Sequence, residues 1–170
     1  CSSDLEAALP SADLAPALGD EPPIVFEGAR RARIVLVEDQ EDLRQFVADL
    51  LQREFEVTTA TDGEEGWEKV QASSPDLVVS DVMMPRRSGT ELCHAIKTDP
   101  RLSATPVILL TARVGSDATL EAYAHGADDF VAKPFHPRVL MARVRAQLRL
   151  RALGLELAER EKLADRKSVV

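Results

Sequence analysis

Five short runs of branched and aliphatic residues recur along this 170-residue chain, each followed by a stretch with helical spacing. "RIVLV" at 33–37 precedes "DLRQFVADLLQREF", "EVTTA" at 56–60 precedes "DGEEGWEKVQA", and "DLVVS" at 76–80 precedes "SGTELCHAIKTD". "PVILLTA" at 106–112 precedes "SDATLEAYAHG", and "DDFVA" at 128–132 precedes "HPRVLMARVRAQLRLRAL". Strands too short and too apolar to show a polar face, separated by amphipathic helices, predict an α/β fold. Its sheet is parallel, with five strands and five helices, and both faces are covered. The flanks differ. Residues 1–31 hold Pro10, Pro16, Pro22 and Pro23 among alanines and acidic residues, which is linker composition with at best a transient helix near Asp4–Leu9. We therefore expect a linker over 1–31, a domain over 32–148 and a helical extension over 149–170.

Composition narrows the class. A hydrophobic content of 45% with 29% charged residues is that of a soluble globular protein. No apolar run approaches the roughly 20 residues that span a bilayer. Two cysteines, Cys1 and Cys93, exclude a disulfide framework or a cysteine zinc site. Cys93 reads as a small core residue, and Cys1 is expected to mark a fragment boundary rather than a lipidated end. The formal charge of −8 is uneven: from Pro137 onward there are nine basic and four acidic residues, a net +5, leaving −13 for the rest. An acidic body argues against a general nucleic-acid binder, while the basic helix leaves room for local contacts.

In sheets of this kind, functional groups gather at the carboxyl ends of the strands. Those ends read Glu38 and Asp39 after the first strand, Asp81 after the third, Thr111 after the fourth and Lys133 after the fifth. Carboxylates brought that close repel one another, and a hard, oxygen-preferring cation such as Mg²⁺ relieves the repulsion. Lys133 can meet an incoming anion and Thr111 can donate a hydroxyl to it. A carboxylate nucleophile, Mg²⁺, a lysine and a hydroxyl donor are the parts phosphoryl transfer requires. Singly, each has an ordinary reading. Asp39 before "QEDLRQF" would serve as a helix N-cap, Lys133 as a surface lysine, and Thr111 as a hydroxyl satisfying backbone. Their co-occurrence at successive strand ends outweighs those readings.

"VLVEDQEDLR", "DLVVSDVMMPRRSGTELC", "PVILLTA" and "GADDFVAKPF" together resemble the receiver domain of two-component response regulators, over about Arg33–Leu150. The resemblance implies a flavodoxin-like sheet of order 2-1-3-4-5 flanked by five helices, the last extended. It implies that Asp81 accepts a phosphoryl group from a histidine kinase or phosphotransfer domain. Glu38 and Asp39 would form the acidic pair, with Asp39, Asp81 and the Met83 carbonyl ligating Mg²⁺. Lys133 would hold the phosphoryl oxygens, and Thr111 with Phe130 would form the switch. Lys133-Pro134 matches the family's cis peptide. Such a module promotes its own phosphorylation and dephosphorylation without being a turnover enzyme, and a cytoplasmic location is implied. Three departures stand out: Phe130 lacks a tyrosine hydroxyl, "PRRSG" makes the rim by Arg86, Arg87 and Ser88 more basic, and Arg113 sits where phosphoryl lifetime is tuned. His94, His125 and His136 match no phosphotransfer pattern and read as surface or cap residues.

Beyond Leu148, Leu150, Leu153, Leu157 and Ala164 follow a short coiled-coil spacing, with Arg160 at the skipped position and Glu156–Arg160 as an i,i+4 pair. Gly154 weakens a helix there by roughly 1 kcal/mol relative to alanine. "LELAEREKLA" is similar to helices that precede the dimerisation domain of histidine kinases. A homodimer through this helix is expected, with no nucleic-acid or membrane contact by this fragment. The parent chain is expected to be a hybrid histidine kinase; the alternative is a response regulator truncated before a DNA-binding output domain. A haloacid-dehalogenase-type phosphatase is disfavoured, because "SDVMM" lacks the second aspartate two positions after the nucleophile.

Overall fold

The structure, a computed structural model, describes residues 24, 26–112 and 126–168. Its elements in chain order are β1 (Arg33–Val37), α1 (Glu41–Gln52), β2 (Glu56–Ala60), α2 (Gly63–Ser73), β3 (Leu77–Asp81) and α3 (Gly89–Thr98). They continue with β4 (Val107–Thr111), β5 (Asp129–Ala132) and α4 (Pro137–Ser168). All pairings are parallel and the strand order is β2-β1-β3-β4-β5. The helix expected over "SDATLEAYAHG" lies, apart from Gly126, outside the described residues, as do Arg113 and His125.

The sheet is covered on both sides, which is why its inner strands read as unbroken apolar runs. Every residue of β3 and β4 is buried, whereas the edge strand β2 alternates. Ile34, Leu36, Val79 and Leu110 face α1 and α4, meeting Val47, Leu51, Leu140, Val144 and Leu148. Val35, Val37, Val78 and Leu109 face the other way, onto Val70, Leu92, Cys93 and Ile96. Register locks the three inner strands β1, β3 and β4: Leu36 sits beside Val79, and Asp81 beside Leu110. Cys93 is fully buried, and burial pushes its thiol up to about 11.

Local chemistry sets the ends. Asp62 and Ser88 cap α2 and α3, accepting from Glu65 N–H and Glu91 N–H at 2.9 and 3.2 Å. At α1 the N-cap is Gln40, without a side-chain bond, so Asp39 does not cap the helix as its sequence position suggested. His136 Nδ1 accepts from Arg138 N–H at the start of α4, with Pro137 as first helical residue. Gly126 takes a positive φ of 87°, as a glycine at an element boundary should. Gly63 and Gly89 serve a different purpose. A Cβ on Gly63 would lie 2.0 Å from the Arg87 carbonyl oxygen, and one on Gly89 2.0 Å from the Asp81 carbonyl oxygen.

The amino edge of the sheet is tied by carboxylates of its own. Asp76 accepts from both guanidinium nitrogens of Arg30, at 2.6 and 3.0 Å, and from Arg33 N–H at 2.8 Å. Asp128 accepts from Val107 N–H at 2.8 Å and pairs with Lys97 at 2.7 Å. The Arg30 bond, together with a buried Phe26, places the end of the stretch read as linker inside the packed body. Prolines upstream had hidden this, although "IVF" is a local apolar signal. At the other end α4 runs unbroken through Gly154. Its last fully buried side chain is Leu148. The Glu156–Arg160 pair forms at 2.8 Å.

Phe26→Ala should cost about 3 kcal/mol, the usual loss for a buried aromatic. Urea unfolding of wild type and variant measures it. A change within a few tenths of a kcal/mol would return Phe26 to the linker.

Candidate functional site

Three carboxylates and one ammonium meet at the carboxyl edge of the sheet. Glu38 leaves β1 buried, its N–H donating to the Ala60 carbonyl at 3.1 Å. Asp39 follows it, exposed. Asp81 is the final residue of β3 and is buried. One oxygen from each of the three lies within 4.8 Å of the others. Lys133, directly after β5, reaches in with Nζ 3.0 Å from Glu38 Oε2 and 2.9 Å from Asp81 Oδ2. Thr111 ends β4, buried, and its carbonyl accepts from Lys133 N–H at 2.7 Å, so the hydroxyl residue and the lysine share one strand pair. The Lys133-Pro134 peptide is cis.

The electrostatics follow from this packing. Burial holds the Glu38 carboxyl above the usual carboxylate range; the Lys133 hydrogen bond opposes that and the Asp81 charge reinforces it. Burial alone would lower the Lys133 ammonium, but hydrogen bonds to Asp81 and Glu38 overcome it and leave its pKa raised. The lysine is thus a fixed cation balancing one of two buried anions. The edge retains excess negative charge, with Asp39 beside it.

The loop after β3 is held from several directions. Met83 is largely exposed, and its N–H points to Asp81 Oδ1 at 3.4 Å. Arg86, at a φ of 67°, pairs with Asp62 at 3.4 Å. Arg87 pairs with Glu64 at 3.1 Å and lies 5.6 Å from the Trp67 ring centroid. These arginines therefore turn from the rim onto α2 instead of simply adding positive charge at the site. Sequence reasoning missed that anchoring; the acidic start of α2, "DGEEGW", was its available signal. Phe130 is half-buried within β5 and packs on the α3 side of the sheet. Arg44, also unforeseen, donates to the Glu38 carbonyl at 3.0 Å.

A doubly wound sheet with an acidic cluster and a lysine at its switch edge defines the class of fold and site. Comparison with known proteins makes it specific. The response regulator receiver domain family matches residues 34–145, and the chain belongs to that family. It is 40% identical over 111 residues to hybrid signal transduction histidine kinase D of Dictyostelium discoideum, covering 65% of this chain and 7% of that protein. It is 42% identical over 118 residues to the phosphate regulon transcriptional regulatory protein PhoB of Rhizobium meliloti, covering 69% of this chain and 52% of that protein. Among solved structures, Vibrio cholerae chemotaxis protein CheY4 superposes with a TM-score of 0.66 at 33% identity, over 69% of this chain and 98% of that one. The receiver domain of a Syntrophus aciditrophicus signal transduction histidine kinase gives 0.65 at 32% identity, over 69% and 89%. The chain thus spans about half or less of these curated relatives. No helix among the described residues is long and apolar enough to cross a membrane.

Because the folded-state pKa of Glu38 is raised, ionising it costs stability as pH rises from the unfolded carboxylate value through the folded one. Glu38→Gln removes that cost. The variant should be more stable than wild type at pH 7 without added divalent metal, an advantage that shrinks as pH falls toward the ordinary carboxylate range. Denaturant unfolding across pH measures it; an advantage growing toward acid would contradict the assignment.

Proposed function

We propose that the chain is a phosphoacceptor module in which Asp81 receives a phosphoryl group from the phosphohistidine of a histidine kinase or phosphotransfer domain. The observation that carries this is the Asp81 carboxylate at the strand end, 2.9 Å from Lys133 and clustered with Glu38 and Asp39. An Asp81 carboxylate oxygen attacks phosphorus, the P–N bond breaks, and its electron pair returns to the donor imidazole. The product is an aspartyl phosphate, and hydrolysis at phosphorus regenerates the carboxylate. Lys133 is already seated where it can transfer its hydrogen bond from carboxylate to phosphoryl oxygen, so little reorganisation accompanies the developing charge.

All-oxygen donors with net negative charge fit a hard divalent ion. Asp39 and Asp81, with the exposed Met83 loop supplying a carbonyl, would hold Mg²⁺, and Glu38 would support them. Bound there, Mg²⁺ supplies neutralising charge for the phosphoryl oxygens. The relatives include hybrid kinases and response regulators, and an acceptor aspartate serves both settings.

Acetyl phosphate with Mg²⁺ should phosphorylate wild type, and Asp81→Asn should take up nothing. Intact-protein mass spectrometry reads the adduct; equal Mg²⁺-dependent labelling of both proteins would sink the site.

Thr111 and Phe130 form the proposed switch. Phosphoryl on Asp81 draws the Thr111 hydroxyl toward it, and Phe130 moves into the space vacated, changing the β5–α4 face. Phe130 has no hydroxyl, so packing alone distinguishes its two positions. With beryllofluoride and Mg²⁺, backbone NMR shifts should spread to β5 and α4 in wild type. In Thr111→Ala they should stay near Asp81. Identical remote shifts in both would remove the hydroxyl as the coupler.

A further inference from the structure

We propose that Arg87 is a positioning residue for the metal site, an inference that rests on the reading of Asp81 as a phosphoacceptor served by Mg²⁺. Its guanidinium ties the loop after β3 to α2, and so fixes the Met83 segment relative to Asp39 and Asp81. That loop is closed at its base. Val82 N–H donates to the Leu110 carbonyl at 3.0 Å, and the Val82 carbonyl accepts from Gly89 N–H at 2.9 Å, so the chain from Met83 to Ser88 leaves and returns at one point. Met83 is 69% exposed, and packing does not hold it. The returning limb is held by α2. Arg87 Nε lies 3.1 Å from Glu64 Oε1, and the guanidinium carbon lies 5.6 Å from the Trp67 ring centroid. Gly63 lets the Arg87 backbone descend onto the helix, since a Cβ there would lie 2.7 Å from Arg87 Cβ. The neighbouring Arg86–Asp62 pair is looser, with the Arg86 side chain 71% exposed against 26% for Arg87.

The helix that receives Arg87 also touches the other side of the site. A Cβ on Gly66 would lie 2.8 Å from Val37 Cγ2, so α2 seats directly on the residue that precedes Glu38 and Asp39. Trp67 packs on the core cluster that contains Val37. One helix therefore steadies both the strand end that delivers the acidic pair and the loop that delivers Met83. Donors held at their spacing beforehand bind an ion more tightly than donors that must be gathered. Arg87 itself is neither a ligand nor a phosphoryl contact, because its cation is turned onto Glu64 and the indole. This role carries a sign. Acting through space, a cation near the site repels Mg²⁺, and its removal would tighten binding. Acting through the loop, its removal loosens binding.

Titration of the 170-residue chain with Mg²⁺, followed by the amide shifts of Asp39, Asp81 and Met83, reads that sign directly. In Arg87→Ala the midpoint should rise about tenfold, the low end of what loss of an outer support costs a metal site. Trp67→Leu alters no charge and keeps an apolar side chain on the core, and it should move the midpoint the same way. It also carries the test should Arg87→Ala fail to fold. The double variant should bind no more weakly than Arg87→Ala, because both changes break one contact. With acetyl phosphate, the half-saturating Mg²⁺ concentration should rise in parallel while the rate at saturating Mg²⁺ stays near that of wild type; a general loosening of the fold would lower that rate as well. An unchanged or tighter midpoint in a folded single variant overturns the proposal, as do additive losses in the double variant or a fall in the saturating rate. Wild type without Mg²⁺ shifts at Asp39 and Asp81 overturns it together with the reading beneath it. Normal wild-type binding with unchanged variants overturns this inference alone.

Discussion

The ammonium of Lys133, shared between Glu38 and Asp81, is the interaction on which the carboxyl edge of the sheet depends. Without a cation there, two carboxylates buried on adjacent strands would face each other in a medium that screens them poorly. One lysine neutralises one of them and leaves the other as unspent negative charge. A fold built for stability alone would place apolar residues at these positions, as it does two residues earlier, where Leu36 and Val79 lie side by side. The edge tolerates its surplus because the strands beneath are buried on both faces and hold the carboxylates in place.

The two ends of the same sheet use carboxylates for opposite purposes. At the amino edge, Asp76 and Asp128 each accept from the first backbone N–H of a neighbouring strand, and each has a basic side chain of its own. Each is paired with its own cation, and they fix strand starts. At the carboxyl edge no such partition exists, because one ammonium serves two acids and Asp39 stands exposed beside them. Partner supply separates a structural acid from a chemical one more clearly than burial does, since Asp76 and Asp81 are similarly buried.

That contrast explains what the sequence made legible. Sheet order and the gathering of Glu38, Asp39, Asp81 and Lys133 came through because each directly follows or ends an apolar run, so one-dimensional position maps onto one spatial edge. Asp76, Arg30 and Phe26 did not come through, because their contacts join positions about 50 apart and nothing local announces them. Asp39 was ambiguous as cap or ligand until the helix start at Gln40 separated the two roles. Gly63 and Gly89 were recognisable as boundary residues, but their reason is steric: another backbone passes where a Cβ would sit. Arg86 and Arg87 read as a basic rim because charge is visible in sequence and direction is not.

Direction matters most in that loop. Arg87, set between Glu64 and Trp67, fastens the stretch after Met83 to α2, while Gly89 presses the start of α3 against the Asp81 carbonyl. Asp81 is therefore braced by α2 and α3 on one side of the sheet, and Lys133 reaches it from β5. Thr111 and Phe130 are on the strand pair that carries this lysine, and α4 follows it only four residues later. Under the proposed phosphoacceptor reading, a charge change at Asp81 is therefore met both by the loop fastened to α2 and, through Lys133, by the β4–β5 pair and the helix that follows it.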